Sequence, residues 1–197
     1  CATYGIPDRM PMTEDLPQRP INPYGATKLA VERRLRELAA TEGLSFAAFR
    51  YFNAAGAHPS AEIGEDHGAR ETHLIPRLML SILENGPPTP ILGEDYPTSD
   101  GTCIRDYIHI LDLAQAHILA LRALDQGSRI YNLGNGQGFS VMEVIETARE
   151  VTGHAIPHVL AERRPGDPAG RLGGPLHGRQ RRGRAHRPGH RRGPGPR

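Results

Sequence analysis

From Leu44 to Phe52 the chain reads Leu-Ser-Phe-Ala-Ala-Phe-Arg-Tyr-Phe, mostly apolar and without clean polar–apolar alternation. Such a run fits a strand buried on both faces, the habit of parallel sheets. A helix is expected just before it, over Asn22–Gly43, with Pro23 near its start, Leu29, Leu35 and Leu38 at helical spacing, and Gly43 as the stop. Helix and strand signals then keep alternating. Leu74–Leu83 reads as a helix, Pro76 being tolerable in a first turn. Pro87–Gly93 reads as loop and short strand, Asp95–Arg105 as a polar loop, and Tyr107–Ile110 as a short strand. Asp112, with Gln115 at the capping-box position, is expected to cap a helix running to about Asp125. Arg129–Leu133 reads as a strand, and Gly134, Gly136 and Gly138 follow it. Ser140 and Glu143 form a capping box for a helix that runs to Gly153. Those three glycines do not have the GxGxxG spacing and read as loop geometry. The alternation predicts an α/β chain with a largely parallel sheet.

Charge divides the chain in two. Residues 170–197 hold nine arginines, three histidines, eight glycines and four prolines with no acid, leaving 15 of the chain's 24 basic residues to face 22 acids over residues 1–169. With only Leu172, Leu176 and Ala185 as apolar residues, 170–197 is expected to be a disordered tail. Nucleic-acid binding by this arm is disfavoured, since it has no aromatic residue to stack on bases. The composition is also what an out-of-frame reading of GC-rich DNA produces. No run approaches the roughly 18 apolar residues that span a bilayer, so no membrane role is expected. The opening Cys1-Ala2-Thr3-Tyr4-Gly5 reads like the middle of a longer protein, and an N-terminal truncation is expected. Cys1 and Cys103 make no disulfide framework, which points to a reducing compartment and a cytoplasmic protein.

The chemistry gathers at Tyr24-Gly25-Ala26-Thr27-Lys28. Tyrosine and lysine four apart share one helix face. A phenol is a weak base at neutrality, but a cation one turn away favours the phenolate. The pair can then move a proton to or from an alcohol while a nicotinamide takes the hydride. A surface tyrosine beside a solvated lysine is the alternative. Against it, Lys28 is the only lysine in the chain, which otherwise uses arginine throughout; a compact ammonium is not interchangeable with a guanidinium.

Tyr24–Lys28, then Arg50-Tyr51-Phe52-Asn53-Ala54-Ala55-Gly56-Ala57, and then the stretch from Tyr96 through Arg105-Asp106-Tyr107-Ile108-His109 resemble the UDP-glucose 4-epimerase family of extended short-chain dehydrogenases/reductases. The likeness runs over about residues 1–169. It implies a partial Rossmann-type, doubly wound parallel sheet plus a smaller α/β substrate-binding domain. Residues 1–56 would belong to the NAD-binding domain, with 105–133 returning to it, and 57–104 and 134–169 to the substrate domain. More than a third of the protein would lie before Cys1, including the glycine-rich loop for the NAD pyrophosphate. The chain as it stands is therefore expected to be inactive.

By the same resemblance, Tyr24 would be the base on the sugar 4-hydroxyl. Lys28 would support it and bond the nicotinamide ribose, and Phe52 would line the nicotinamide pocket. Asn53, Leu74, Leu92, Arg105, Arg164 and Asp167 match positions that hold the UDP-sugar, UDP-glucose or UDP-galactose. Arg105 suits a diphosphate through charge-assisted bonds. Leu74 and Leu92 read equally well as plain core. The family's catalytic Ser or Thr would fall one residue before Cys1, and Arg171 stands near the place of a sugar-site tyrosine. A homodimer is implied for the full-length protein. Asp106 reads as a structural partner rather than an acid catalyst, and Cys103 as no nucleophile. His58, Glu65, Asp66, His67 and His73 crowd one loop but fit no zinc spacing, so no metal is expected. Two other readings stay open: an NAD-dependent nucleotide-sugar epimerase, 4,6-dehydratase or decarboxylase of another kind, and a non-catalytic nucleic-acid binder using the arginine tail. The dehydratases and decarboxylases carry an acid just before the Tyr-Gly motif, where Cys1-Ala2-Thr3 offers none.

Overall fold

Asn22 opens the first helix by accepting the Gly25 backbone N–H on its side-chain oxygen at 2.8 Å, with Pro23 in the first turn. The helix, α1 (Pro23–Glu42), ends where Gly43 turns left-handed and returns its N–H to the Leu38 carbonyl. The computed structural model describes residues 1–64, 71–83, 86–164 and 167–173.

Among the described residues, eight short strands follow or interleave with four helices. After α1 come β1 (Ala47–Tyr51), β2 (Asn53–Ala55), α2 (Leu74–Leu83), β3 (Thr89–Leu92) and β4 (Ile104–His109). Then come α3 (Ile110–Arg122), β5 (Arg129–Leu133), β6 (Gly138–Ser140), α4 (Val141–Thr152), β7 (His158–Ala161) and β8 (Gly170–Arg171). The pairing is mainly parallel: β1 with β5, β2 with β4, β3 with β7 and β4 with β8; β6 runs antiparallel on β4. This is the α/β class with a largely parallel sheet that the alternation predicts.

Three apolar clusters hold the layers. Tyr4, Met12, Leu16 and Phe52 form one. Leu78, Ile91, Ile145 and Ile156 join α2, β3 and α4 in a second, and Ile108, Leu113 and Leu133 join β4, α3 and β5 in a third. Each buried Leu or Ile contributes roughly 1.5–3 kcal/mol by leaving water.

Four expectations need correction. The Leu44–Phe52 run is not one strand buried on both faces. The strand ends at Tyr51 and a separate one begins at Asn53, Tyr51 is 39% exposed, and among the described residues β1 pairs only with β5. Asp112 does not cap α3. β4 continues to His109, whose ring Nδ1 accepts the Leu111 N–H at 3.2 Å, so the helix begins at Ile110 and Asp112 sits in its first turn. Gly138 is strand as well as loop, because β6 pairs with β4. Residues 170–173, assigned to the tail by composition, are built into the sheet. β8 pairs with β4, Met12 N–H donates to the Leu172 carbonyl at 2.8 Å, and the Gly173 N–H reaches Asp106 at 2.9 Å. The rest of the expected tail, and Glu65, Asp66 and His67, lie outside the described residues.

Candidate active site

Gly25 decides how α1 meets the rest of the chain. A methyl group there would stand 2.5 Å from the Ala2 carbonyl oxygen, so only glycine lets the helix start lie on the 3-10 turn Ala2–Tyr4. The buried stripe of α1 is Gly25, Leu29 and Glu32. Tyr24 and Lys28 each sit one residue before a member of that stripe, at its rim. Tyr24 is 63% exposed, and the Lys28 ammonium stands 5.2 Å from the centre of its ring. The pair presents an exposed hydroxyl and an ammonium on one helix face, donors that could meet the hydroxyls of a ligand.

A second group of residues forms around β4. Arg105 Nη2 binds Asp167 Oδ1 at 2.7 Å, and its Nη1 donates to the carbonyls of Ile104 at 2.7 Å and Pro168 at 3.2 Å. Arg164 is exposed beside them, its carbonyl accepting the Asp167 N–H at 3.1 Å. Arg171 stands opposite Arg105 in the β4–β8 register. Its Nε is buried without a hydrogen-bond partner, and burial together with the Arg105 charge weakens its hold on its proton. Three guanidiniums with one carboxylate leave this region positively charged, which suits an anion. Burial pushes the Tyr107 hydroxyl up to about 12 and raises the Cys103 thiol.

The remaining candidates sit between these groups or in the core. Asn53 is on β2, and its side-chain amide donates to the Asp106 carbonyl at 2.8 Å. Phe52 is buried with Tyr4, Met12 and Leu16. Leu74 packs on the second cluster from the start of α2, and Leu92 ends β3 opposite Ala161. The structure therefore brings Tyr24 to Lys28, and Arg105 to Asp167. Among the described residues no hydrogen bond or ion pair joins the first couple to the second. Asp106 is fully buried, its carboxylate accepting the N–H groups of Asn135, Gly136 and Gly173. The structural role read for it from the sequence is thus the observed one. Among the described residues there is no group of three His, Cys, Asp or Glu side chains fit to hold a metal ion.

The sequence reading missed a buried network beneath α1. Arg50 grips Glu32 with two bonds, Nε to Oε1 at 2.8 Å and Nη2 to Oε2 at 2.7 Å. Burial alone would raise the Glu32 carboxyl, but the bonds and charge of Arg50 outweigh it and hold the group below the usual carboxylate range. Two signals were present: an arginine inside an apolar run, and a glutamate in register with Gly25 and Leu29.

The sequence profile of the NAD dependent epimerase/dehydratase family matches residues 1–134. The chain is 54% identical over 170 residues to a UDP-glucose 4-epimerase of Halalkalibacterium halodurans, an alignment covering 85% of this chain and 51% of that protein. It superposes on the UDP-glucose 4-epimerase of Brucella ovis in complex with NAD with a TM-score of 0.84 and 47% identity, covering 89% of this chain and 54% of the other. The Bifidobacterium longum UDP-glucose 4-epimerase, in complex with NAD+ and UDP, superposes with a TM-score of 0.83 and 39% identity over 88% of this chain and 52% of the other. The chain spans about half the length of the curated relatives it matches.

Proposed function

The chain belongs to the NAD dependent epimerase/dehydratase family, and we propose that it serves a UDP-glucose 4-epimerase, interconverting UDP-glucose and UDP-galactose. The observation that carries this reading is the Tyr24–Lys28 pair, an accessible phenol with an ammonium 5.2 Å from its ring centre at the start of α1. In this reading Tyr24 takes the proton of the sugar 4-hydroxyl and later gives it back. When bound, NAD would supply the reversible hydride chemistry at the sugar C4. Lys28 holds the phenol's charge and bonds the nicotinamide ribose, while Phe52 backs the nicotinamide side. Asn53, Leu74, Leu92, Arg105, Arg164 and Asp167 hold the UDP-sugar. The orphaned Arg171 Nε beside Arg105 supports an anionic, diphosphate-bearing ligand there.

We read residues 1–56 with 105–133 as part of the dinucleotide-binding half, and 57–104 with 134–169 as the substrate half; the parallel pairing of β1 with β5 supports the first grouping. The working protein is read as a homodimer in the cytoplasm. Two free cysteines support the reducing compartment, and among the described residues no helix is long and apolar enough to cross a membrane.

The test supplies NAD and UDP-galactose and follows UDP-glucose. In the full-length protein, Tyr24→Phe should cut turnover by roughly two to four orders of magnitude, the usual worth of a positioned acid–base group. Near-normal turnover in that variant would remove Tyr24 from the role of base.

A further inference from the structure

Glu32 lies one helical turn beyond Lys28 and two beyond Tyr24 on α1. Its side chain is 8% exposed and that of Arg50 only 3%. Besides the two bonds from Arg50, the Glu32 carboxylate accepts from Gln18 Nε2 at 3.1 Å. Arg50 Nη1 donates to the Tyr4 hydroxyl and to the Glu14 carbonyl, the latter at 3.1 Å. The Tyr4 hydroxyl donates in turn to Asn132 Oδ1 at 2.7 Å. One ion pair thus gathers the 3-10 turn, the segment around residues 14–18, α1, β1 and β5.

Stability does not explain this choice. Desolvating two charges offsets most of their attraction, and apolar side chains of similar volume often serve as well or better. A bidentate fork offers something apolar contact lacks, a single admitted orientation. Orientation is what α1 needs. Gly25, Leu29 and Glu32 are the buried residues of its 20, and of these Glu32 alone makes a directional side-chain bond to another segment that can set rotation about the helix axis. Because Tyr24 and Lys28 ride at the rim of that stripe, any rotation of α1 displaces the phenol directly.

We propose that Glu32 and Arg50 are positioning residues, a buried clamp that sets the rotation of α1 and thereby the placement of the Tyr24 hydroxyl and the Lys28 ammonium. The proposal rests on reading Tyr24 as the acid–base group. Neither clamp residue touches substrate; both act through the helix.

The single lysine provides a probe that does not depend on turnover. Reductive 13C-methylation of the full chain gives a Lys28 resonance, identified by its loss in Lys28→Arg, that carries the ring current of Tyr24. Tyr24→Leu gives its position without the ring. In the double variant Glu32→Leu/Arg50→Met both charges leave together, so the thermal transition is expected to stay within about 5 °C of the parent. The Lys28 resonance should move toward its Tyr24→Leu position. The kcat should fall on the order of 10–100-fold, the scale of a small misplacement of a catalytic group, with little change in KM for the UDP-sugar. A double variant with the parent resonance and parent kcat overturns the proposal. Should that variant fail to unfold cooperatively, Arg50→Lys, which keeps the charge but loses the fork, is decisive: a folded Arg50→Lys protein with an unmoved resonance overturns it equally. If Tyr24→Phe leaves the turnover of the full-length protein unchanged, the acid–base reading is what has failed, and the resonance alone decides whether the clamp sets α1.

Discussion

Arg105 holds Asp167 at 2.7 Å, tying β4 to the segment that carries Arg164. Two residues expected to grip the same ligand are thus joined to each other, and the guanidinium keeps donor capacity to spare beside Arg171.

Removing this guanidinium should weaken UDP binding. Arg105→Ala deletes a charged donor worth on the order of 1.5–3 kcal/mol. Calorimetric titration with UDP should show a matching loss of affinity, with NAD content unaltered. Unchanged UDP affinity together with lost NAD would move Arg105 to the cofactor side.

Asp106→Asn should destabilise the fold. The carboxylate takes the N–H groups of Asn135 at 2.6 Å, Gly136 at 3.0 Å and Gly173 at 2.9 Å. Both Gly136 and Gly173 use the same oxygen, and an amide cannot offer acceptors at both positions. Each buried donor left unmet costs about 1–3 kcal/mol. Urea unfolding should therefore register a loss of about 1–3 kcal/mol, and an unchanged midpoint and slope would show that water satisfies these donors.

Gly25→Ala should separate α1 from the turn beneath it. The added methyl meets a backbone carbonyl rather than a yielding side chain. Overpacking of this kind costs typically about 1–3 kcal/mol. The variant should unfold at lower denaturant and lose turnover together; parent-like stability would mean that the turn gives way freely.

Alkaline stability should bear the mark of Tyr107. Burial, the main cause, pushes its hydroxyl up to about 12 from an ordinary 10, so the folded chain favours the neutral phenol. The stabilisation is complete below pH 10 and is lost as pH rises from about 10 to about 12. Tyr4, Tyr51 and Tyr96 are raised too, so the useful quantity is the difference between parent and Tyr107→Phe. Denaturant titrations from pH 9 to 11.5 should show the parent losing stability faster by on the order of 2 kcal/mol. Parallel pH curves would mean that Tyr107 ionises freely.

What the sequence disclosed was local. Pro23 at the helix start, Gly43 as its stop and the Ser140–Glu143 box depend on partners within a few residues, and they stand where they were expected. The Tyr24–Lys28 pair was legible for the same reason, being one helical turn. His109 was missed as a cap because pairing between β2 and β4, not the side chain itself, fixes where the strand ends. β7 and β8 were missed because a strand of four or two residues exists only through its distant partner. Composition misjudged Gly170–Gly173 on the same ground: the Asp106 carboxylate that captures Gly173 is invisible in a window of glycine and arginine. The Arg105–Asp167 pair joins segments far apart in the chain, and periodicity carries no information about it; for Glu32–Arg50 it marks Glu32 as buried but does not name its partner.

The parallel pairing has a consequence for how the molecule is made. Ala47 meets Arg129, Asn53 meets Tyr107 and Thr89 meets His158, so each parallel couple closes a loop of more than about 50 residues. Such contacts repay their entropy late and slow the approach to the native state. During synthesis at about 5–20 residues per second, β1 waits several seconds for β5 to be made, and β3 waits as long for β7. Through that interval α1 can already be wound, while the apolar strands it will cover still await their partners. The nascent chain's exposure to aggregation or to chaperones is therefore set by the spacing of its strands along the message.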